Sequence, residues 1–199
     1  MPLRTSPTPR LAALWGCDEA VAGAAIRAAG SLRALLADPS KAAGATPGVG
    51  AVKARQAGVV MELARRSLLQ AMAPRSMLSD PASAKRFFLA WLRDRGVEQF
   101  CALFLDTRHR VIACETLSVG TLNGTSVYPR EVVKRAMELG ADAVIFAHNH
   151  PSGVAEPSDA DRRMTRRLRD ALSLVDIRTL DHLVVGDGAV TSFAEQGLI

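Results

Sequence analysis

Five apolar residues in a row, Ala143-Val144-Ile145-Phe146-Ala147, run directly into His148-Asn149-His150-Pro151-Ser152-Gly153. A run this short and apolar fits a buried strand, so the chain must place a strand in its interior and let it end among polar side chains. The fourteen residues from His148 to Asp161 then hold two imidazoles, several hydroxyls and carboxylates. Side chains on a strand repeat every second residue, so His148 and His150 point the same way. Pro157 and Ser158 mark a helix start, with Ser158 as the N-cap, which places Asp161 in the first turn, facing back toward the strand end. Two imidazoles and a carboxylate are the ligand types of a catalytic zinc site, in which three protein groups hold the metal and a fourth position stays open. His148, His150 and Asp161 are therefore the candidate metal ligands, and Zn²⁺ is the expected cofactor.

The 199 residues suffice for one domain of ordinary size and a smaller one, and an apolar content of 48% marks a globular chain. No stretch approaches the ~20 apolar residues that span a bilayer, and Met1 to Arg10 lacks the apolar core of a signal peptide. Cys17, Cys101 and Cys114 are far apart, odd in number and form no CxxC pair, which fits reduced, mostly buried thiols in a cytoplasmic protein. Charge is unevenly placed. Residues 1–75 hold ten Lys/Arg against four Asp/Glu, whereas residues 76–199 hold fifteen against sixteen. A net charge of +6 on the first part and −1 on the second favours a polyanion-binding module attached to a near-neutral domain.

Residues 1–10, rich in Pro, Thr and Arg, are expected to be disordered. Leu11 to Ala37 has helical spacing broken at Gly30-Ser31, which predicts two short helices, and Asp38-Pro39-Ser40 is a further boundary. After the turn Thr46-Pro47-Gly48-Val49-Gly50, Ala51 to Met72 reads as one long helix. Pro74 to Pro81 reads as a linker, followed by a helix at about Ser83 to Arg93. Strands are expected at Gln99 to Leu105 and Arg110 to Thr116, joined by a hairpin, with a third near Leu117 to Thr121. A helix over Pro129 to Leu139 ends at Gly140. The buried strand Val144 to Ala147, a basic helix over Asp159 to Leu174, a strand over Leu180 to Val185 and a last short strand complete the pattern. Mixed helices, strands and hairpins predict an α+β or three-layer α/β/α domain. The domain limits read as 1–73, all-α, and 77–199.

His148, His150, Ser158 and Asp161 fit H-x-H-x7-S-x2-D, which resembles the metal motif of the JAMM (MPN-domain) zinc proteases, a group that includes isopeptidases. More specifically, Phe104-Leu105-Asp106, Val127 through Val132, His148 through Gly153, Pro157-Ser158-x-x-Asp161 and Leu180-Asp181-His182 together resemble the bacterial RadC family, over about Arg75 to Ile199. The resemblance implies a cytidine-deaminase-like JAMM/MPN fold. It also implies that Ser158 polarises the scissile carbonyl and that an upstream Glu activates water. Glu98, ahead of an apolar strand, matches that Glu; Glu115, on the second strand, does not. His109 reads as a polar turn residue and His182 as a partly buried structural one. Arg162, Arg163, Arg166, Arg167 and Arg169 read as a solvated helix face or a contact for nucleic acid or an acidic partner.

Pro47-Gly48-Val49-Gly50 with Lys53 resembles the hairpin of helix-hairpin-helix DNA-binding modules. Glycines let backbone N–H groups approach phosphate, and Gly48, Gly50, Lys53 and Arg55 are the candidate DNA contacts. The expectation is a zinc-dependent peptidase or isopeptidase acting on a peptide or protein, with weak, salt-sensitive DNA binding and no membrane association. The competing readings are a DNA-associated accessory protein with a structural metal, and a metal-dependent nuclease. Mg²⁺ or two-metal nuclease sites are commonly richer in carboxylates than this set.

Overall fold

The computed structural model describes residues 6–72, 81–120 and 127–199, and the chain divides into two compact units, Met1–Ser67 and Leu68–Ile199. Of the linker expected at Pro74 to Pro81, 74–80 lie outside the described residues, and Pro81 already begins a helix. Among the described residues no helix is long and apolar enough to cross a membrane.

The first unit contains α1 (Thr8–Trp15), α2 (Glu19–Ala28), α3 (Leu32–Ala37), α4 (Ser40–Ala45) and the greater part of α5 (Ala51–Met72). Its core is built largely on alanines, with Ala22, Ala25, Ala42 and Ala57 packed among Leu11, Trp15, Leu35 and Val49. Two expectations are corrected here. The stretch 1–10 is helical from Thr8, because proline is tolerated in a first helical turn and Leu11 and Trp15 anchor the helix by burial. Leu11 to Ala37 forms three helical pieces, not two: α1 stops at Gly16, whose φ of 56° lets its N–H reach the Ala12 and Ala13 carbonyls. The alanine-rich composition hides that break. α5 has the expected limits, and α4 occupies a stretch where no helix was expected.

The second unit is built on a five-stranded sheet of order β2-β1-β3-β4-β5. Its elements are α6 (Pro81–Leu92), β1 (Gln99–Leu105), β2 (Val111–Val119), α7 (Pro129–Leu139), β3 (Ala143–Asn149), α8 (Asp159–Ser173), β4 (Arg178–Val185) and β5 (Val190–Ser192). β3 and β4 are parallel, joined across α8, and the other neighbours are antiparallel. Strand alternation sorts side chains onto two faces. Cys101, Leu103, Leu105, Ile145, Leu183 and Val185 meet Phe87, Phe88 and Leu92 of α6. Phe100, Phe104, Val144 and Phe146 meet Val132 and Ala136 of α7 and Leu168 and Leu172 of α8. Helix, sheet and helix thus form the three layers of an α+β domain. In place of the separate strand expected at Leu117 to Thr121, 117–119 are the end of β2, which runs on to Val119 opposite Gln99, and Thr121 lies outside the described residues. β3 is longer than its apolar run, for His148 and Asn149 continue the pairing and are themselves buried.

The small features follow local chemistry. His109 lies in the β1–β2 turn at φ 57°, its Nε2 3.2 Å from Arg178 Nη2. All three cysteines are free, and burial pushes the Cys101 and Cys114 thiols upward, away from reactive thiolate.

Candidate metal centre

The parity of β3 puts His148 on the same face as Val144 and Phe146, beside the N-terminus of α8. His148 pairs with Phe100 of β1 and Val184 of β4, and its side chain is wholly buried. His150 follows the strand, its N–H bonded to the Val185 carbonyl at 2.9 Å. The loop after it packs tightly on the end of β4. A Cβ at Gly186 would meet the Gly153 carbonyl at 2.4 Å and Ala155 N at 2.7 Å, so only glycine fits there. Gly153 itself turns the chain at φ 85°. α8 then starts with a capping box: Asp161 N donates to Ser158 Oγ (3.2 Å), and Ser158 N donates to Asp161 Oδ2 (2.7 Å).

These constraints bring His148, His150 and Asp161 together as expected from their spacing. The two Nε2 atoms are 3.0 Å apart, Asp161 Oδ1 is 3.3 Å from His148 Nε2, and Oδ2 is 3.5 Å from His150 Nε2. Donor atoms ~2.0–2.1 Å from a tetrahedral zinc stand roughly 3.3–3.4 Å from one another. The observed spacings fit one small ion. Asp161 is wholly buried and its Oδ1 makes no hydrogen bond among the described residues, a costly state that a cation at this position would relieve. His150 Nδ1 lies 2.8 Å from the Val154 carbonyl, which can only accept, so its Nε2 is the bare nitrogen facing the group. The His150 side chain is 19% exposed while the other two are closed off, which leaves one side of the group open.

The field is strongly coupled. Burial pushes the Asp161 carboxyl up, but His148 and His150, then the Ser158 hydroxyl, outweigh it and hold Asp161 well below the usual carboxylate range. The Asp161 carboxylate in turn raises His150 against the opposing effect of burial, aided by the Val154 carbonyl and by the charge of Glu98.

Glu98 is half-buried just before β1, and its backbone carbonyl accepts from Gly120 N at 2.8 Å. The turn carrying it is fastened by Asn149, on the opposite face of β3 from the histidines. Asn149 Nδ2 donates to the carbonyls of Arg95 (3.1 Å) and Val97 (3.3 Å), and Oδ1 accepts from Gln99 N (2.9 Å). Glu115 is engaged elsewhere, gripped by Arg135 through Nε–Oε2 at 2.9 Å and Nη2–Oε1 at 2.6 Å. The Ser158 hydroxyl donates to Asp161 Oδ2 at 2.6 Å, which orients that carboxylate.

Sequence reasoning missed two residues beside this group. His182 is not partly but wholly buried, with Nε2 2.8 Å from His148 Nδ1 and Nδ1 2.5 Å from Thr165 Oγ1. Burial, followed by the charge of His148, holds the His182 imidazole well below its ordinary value. The segment Leu180-Asp181-His182 was a visible signal; its pairing with a strand end thirty-four residues earlier was not.

In the first unit, Gly48 adopts φ 81° in the turn before α5, and the Lys53 ammonium donates to the Gly48 carbonyl at 2.7 Å. Gly50 has no positive φ, and Arg55 is exposed.

Comparison with known proteins bears on the second unit directly. Residues 78–198 match the family model of the RadC-like JAB domain. The chain is 56% identical over 168 residues to a UPF0758 protein of Chromohalobacter salexigens, covering 84% of this chain and 75% of that one. It is 54% identical over 168 residues to a UPF0758 protein of Xanthomonas euvesicatoria, again 84% and 75% of the two chains. A UPF0758 protein of Vibrio cholerae is 53% identical over 180 residues, 90% of this chain and 80% of that one.

Proposed function

The chain belongs to the RadC family, and from that premise we propose that it is a zinc-dependent hydrolase that cuts amide or isopeptide bonds in a peptide or protein of the cytoplasm. One observation carries this reading. A buried carboxylate, Asp161, whose Oδ1 makes no hydrogen bond among the described residues, faces the Nε2 atoms of two histidines at a site open on one side. His148, His150 and Asp161 would hold the ion, which supplies Lewis acidity that polarises a carbonyl and acidifies water. The protein's own groups do the rest. Glu98 takes the proton of the attacking water and hands it to the leaving amine, within the field that its charge already shares with His150. Asn149 keeps Glu98 in place by fastening the backbone on both sides of it. Ser158 orients Asp161 in the observed arrangement, and it polarises the substrate carbonyl when its hydroxyl exchanges that bond for the substrate oxygen.

The test is a screen of peptide, isopeptide and nucleic-acid hydrolysis on wild type and Glu98→Gln, with metal content measured on both. Glu98→Gln is expected to keep the metal and lose hydrolysis by about 10²–10⁴-fold. Retained hydrolysis would remove Glu98 as the base, and cleavage of nucleic acid alone would replace the peptidase reading with a nuclease. A second reading, supported by the positive charge of the first 75 residues and the turned backbone at Gly48, is contact with DNA phosphates through Gly48, Gly50, Lys53 and Arg55.

A further inference from the structure

Four groups at the candidate metal centre form a hydrogen-bonded chain with only one consistent direction. Thr165 Oγ1 lies 2.6 Å from the backbone carbonyl of Asp161, a contact in which only the hydroxyl can donate. Its single proton placed there, Thr165 can only accept from His182 Nδ1, 2.5 Å away. His182 is wholly buried, walled by Phe193 stacked at 4.7 Å and by the edges of Phe100 at 5.3 Å and Phe146 at 6.2 Å. No hydrogen-bonded carboxylate stabilises a charge on it among the described residues, so the ring is neutral and protonated at Nδ1 alone. Its bare Nε2 then accepts from His148 Nδ1 at 2.8 Å. His148 must carry its proton on Nδ1, and its Nε2 is left bare, facing His150 and Asp161.

We propose that Thr165 and His182 are positioning residues that set the tautomer of His148 and, with it, the metal affinity of the centre. The relay rests on the reading that His148, His150 and Asp161 hold a metal. It runs Asp161 carbonyl, Thr165 hydroxyl, His182 imidazole, His148 imidazole, and so fastens two ligands from one hydroxyl. Asp161 and Thr165 are four apart and share one face of α8, while His182 comes from β4 and His148 from β3. The relay therefore locks three elements behind the ion. Its logic parallels the Val154 carbonyl behind His150, where a backbone acceptor fixes the other ring. Partners that hold the far nitrogen of a ligating histidine typically change metal affinity by 10–100-fold when removed.

The experiment measures zinc affinity by competition with a chromophoric chelator for wild type, Thr165→Val, Thr165→Ser and His182→Phe. In parallel, the tautomer of His148 is read from long-range ¹H–¹⁵N correlations of the metal-free proteins at mildly alkaline pH. Thr165→Val keeps the volume and removes the hydroxyl, so about 10-fold weaker zinc binding is expected; His182→Phe should weaken it by roughly 10–100-fold. Thr165→Ser restores the hydroxyl and should bind close to wild type, which a purely packing role would not require. Metal-free wild type should show His148 protonated at Nδ1, with that state lost in His182→Phe. Wild-type affinity in all three variants would overturn the relay and leave the metal reading standing, as would a wild-type His148 protonated at Nε2. A wild type with no measurable zinc binding would overturn the metal reading and the relay's role with it.

Discussion

Where β3 ends beside the start of α8, a buried carboxylate keeps one oxygen without a hydrogen bond among the described residues; in the turn before α5 the polar groups are near the surface and satisfied by neighbours. That oxygen is Asp161 Oδ1, in a fully enclosed position, whereas the Lys53 ammonium is bonded to the Gly48 carbonyl five residues away. The two places looked alike as sequence, each a short motif with glycine, proline and charged or ligating side chains. Physically they differ in what they leave undone. Leaving a buried carboxylate oxygen unsatisfied costs on the order of 1–3 kcal/mol or more, a cost that a cation held with the two histidines would relieve. The glycine turn is explained by its own hydrogen bonds, and a ligand there rests on charge and the turned backbone at Gly48.

The sharpest way to break this contrast is to remove the metal. With metal about 1,000-fold above its dissociation constant, bound-state stabilisation is roughly 4 kcal/mol, and a chelator should remove it. Chemical denaturation of the second unit's signal should show that loss in wild type and none in Asp161→Ala. Equal chelator sensitivity in both would mean that the ion sits elsewhere.

The hairpin is tested by charge reversal. Lys53→Glu with Arg55→Glu should weaken duplex DNA binding and lower the salt slope by about 2, if both side chains meet phosphates. Fluorescence anisotropy across a salt series reads both quantities. An unchanged slope would reduce the motif to a helix-helix turn and widen the difference between the two regions.

Much of the site was readable beforehand. The period of two on a strand placed His148 and His150 together, and the helix-start chemistry of Pro157-Ser158 placed Asp161 with them. The limits of β1, α5 and α7 were likewise clear from apolar period and terminal residues. Three things were not. β3 runs past its apolar residues because His148 is paired on both sides and Asn149 with β4, and pairing is invisible in hydropathy. The break at Gly16 falls inside a long alanine- and leucine-rich stretch whose spacing reads as one helix. The relay through Thr165 and His182 depends on α8 and β4 packing behind β3, a contact between distant parts of the chain. Periodicity carries local geometry; it does not say which buried groups will meet.

The smallest expected effect concerns an ordinary ion pair used as a reference for the buried group. Glu115 is held below its ordinary value of 4.5 by the hydrogen bonds from Arg135. A carboxyl depressed on folding contributes stability above its unfolded pKa and loses it as pH falls through the folded one. Arg135→Gln should therefore cost a small amount of stability at neutral pH, and nothing once the Glu115 carboxyl is protonated. Denaturation of the two proteins at neutral and acid pH checks the sign. A difference that persisted in acid would show that Arg135 acts through packing.

Zinc content of the purified protein is the most direct measurement of the central claim, that His148, His150 and Asp161 hold one catalytic metal ion. Elemental analysis should find about one zinc per chain in wild type and almost none in Asp161→Ala, with both proteins folded by circular dichroism. A wild type without metal, or an Asp161→Ala variant that kept its zinc, would contradict it.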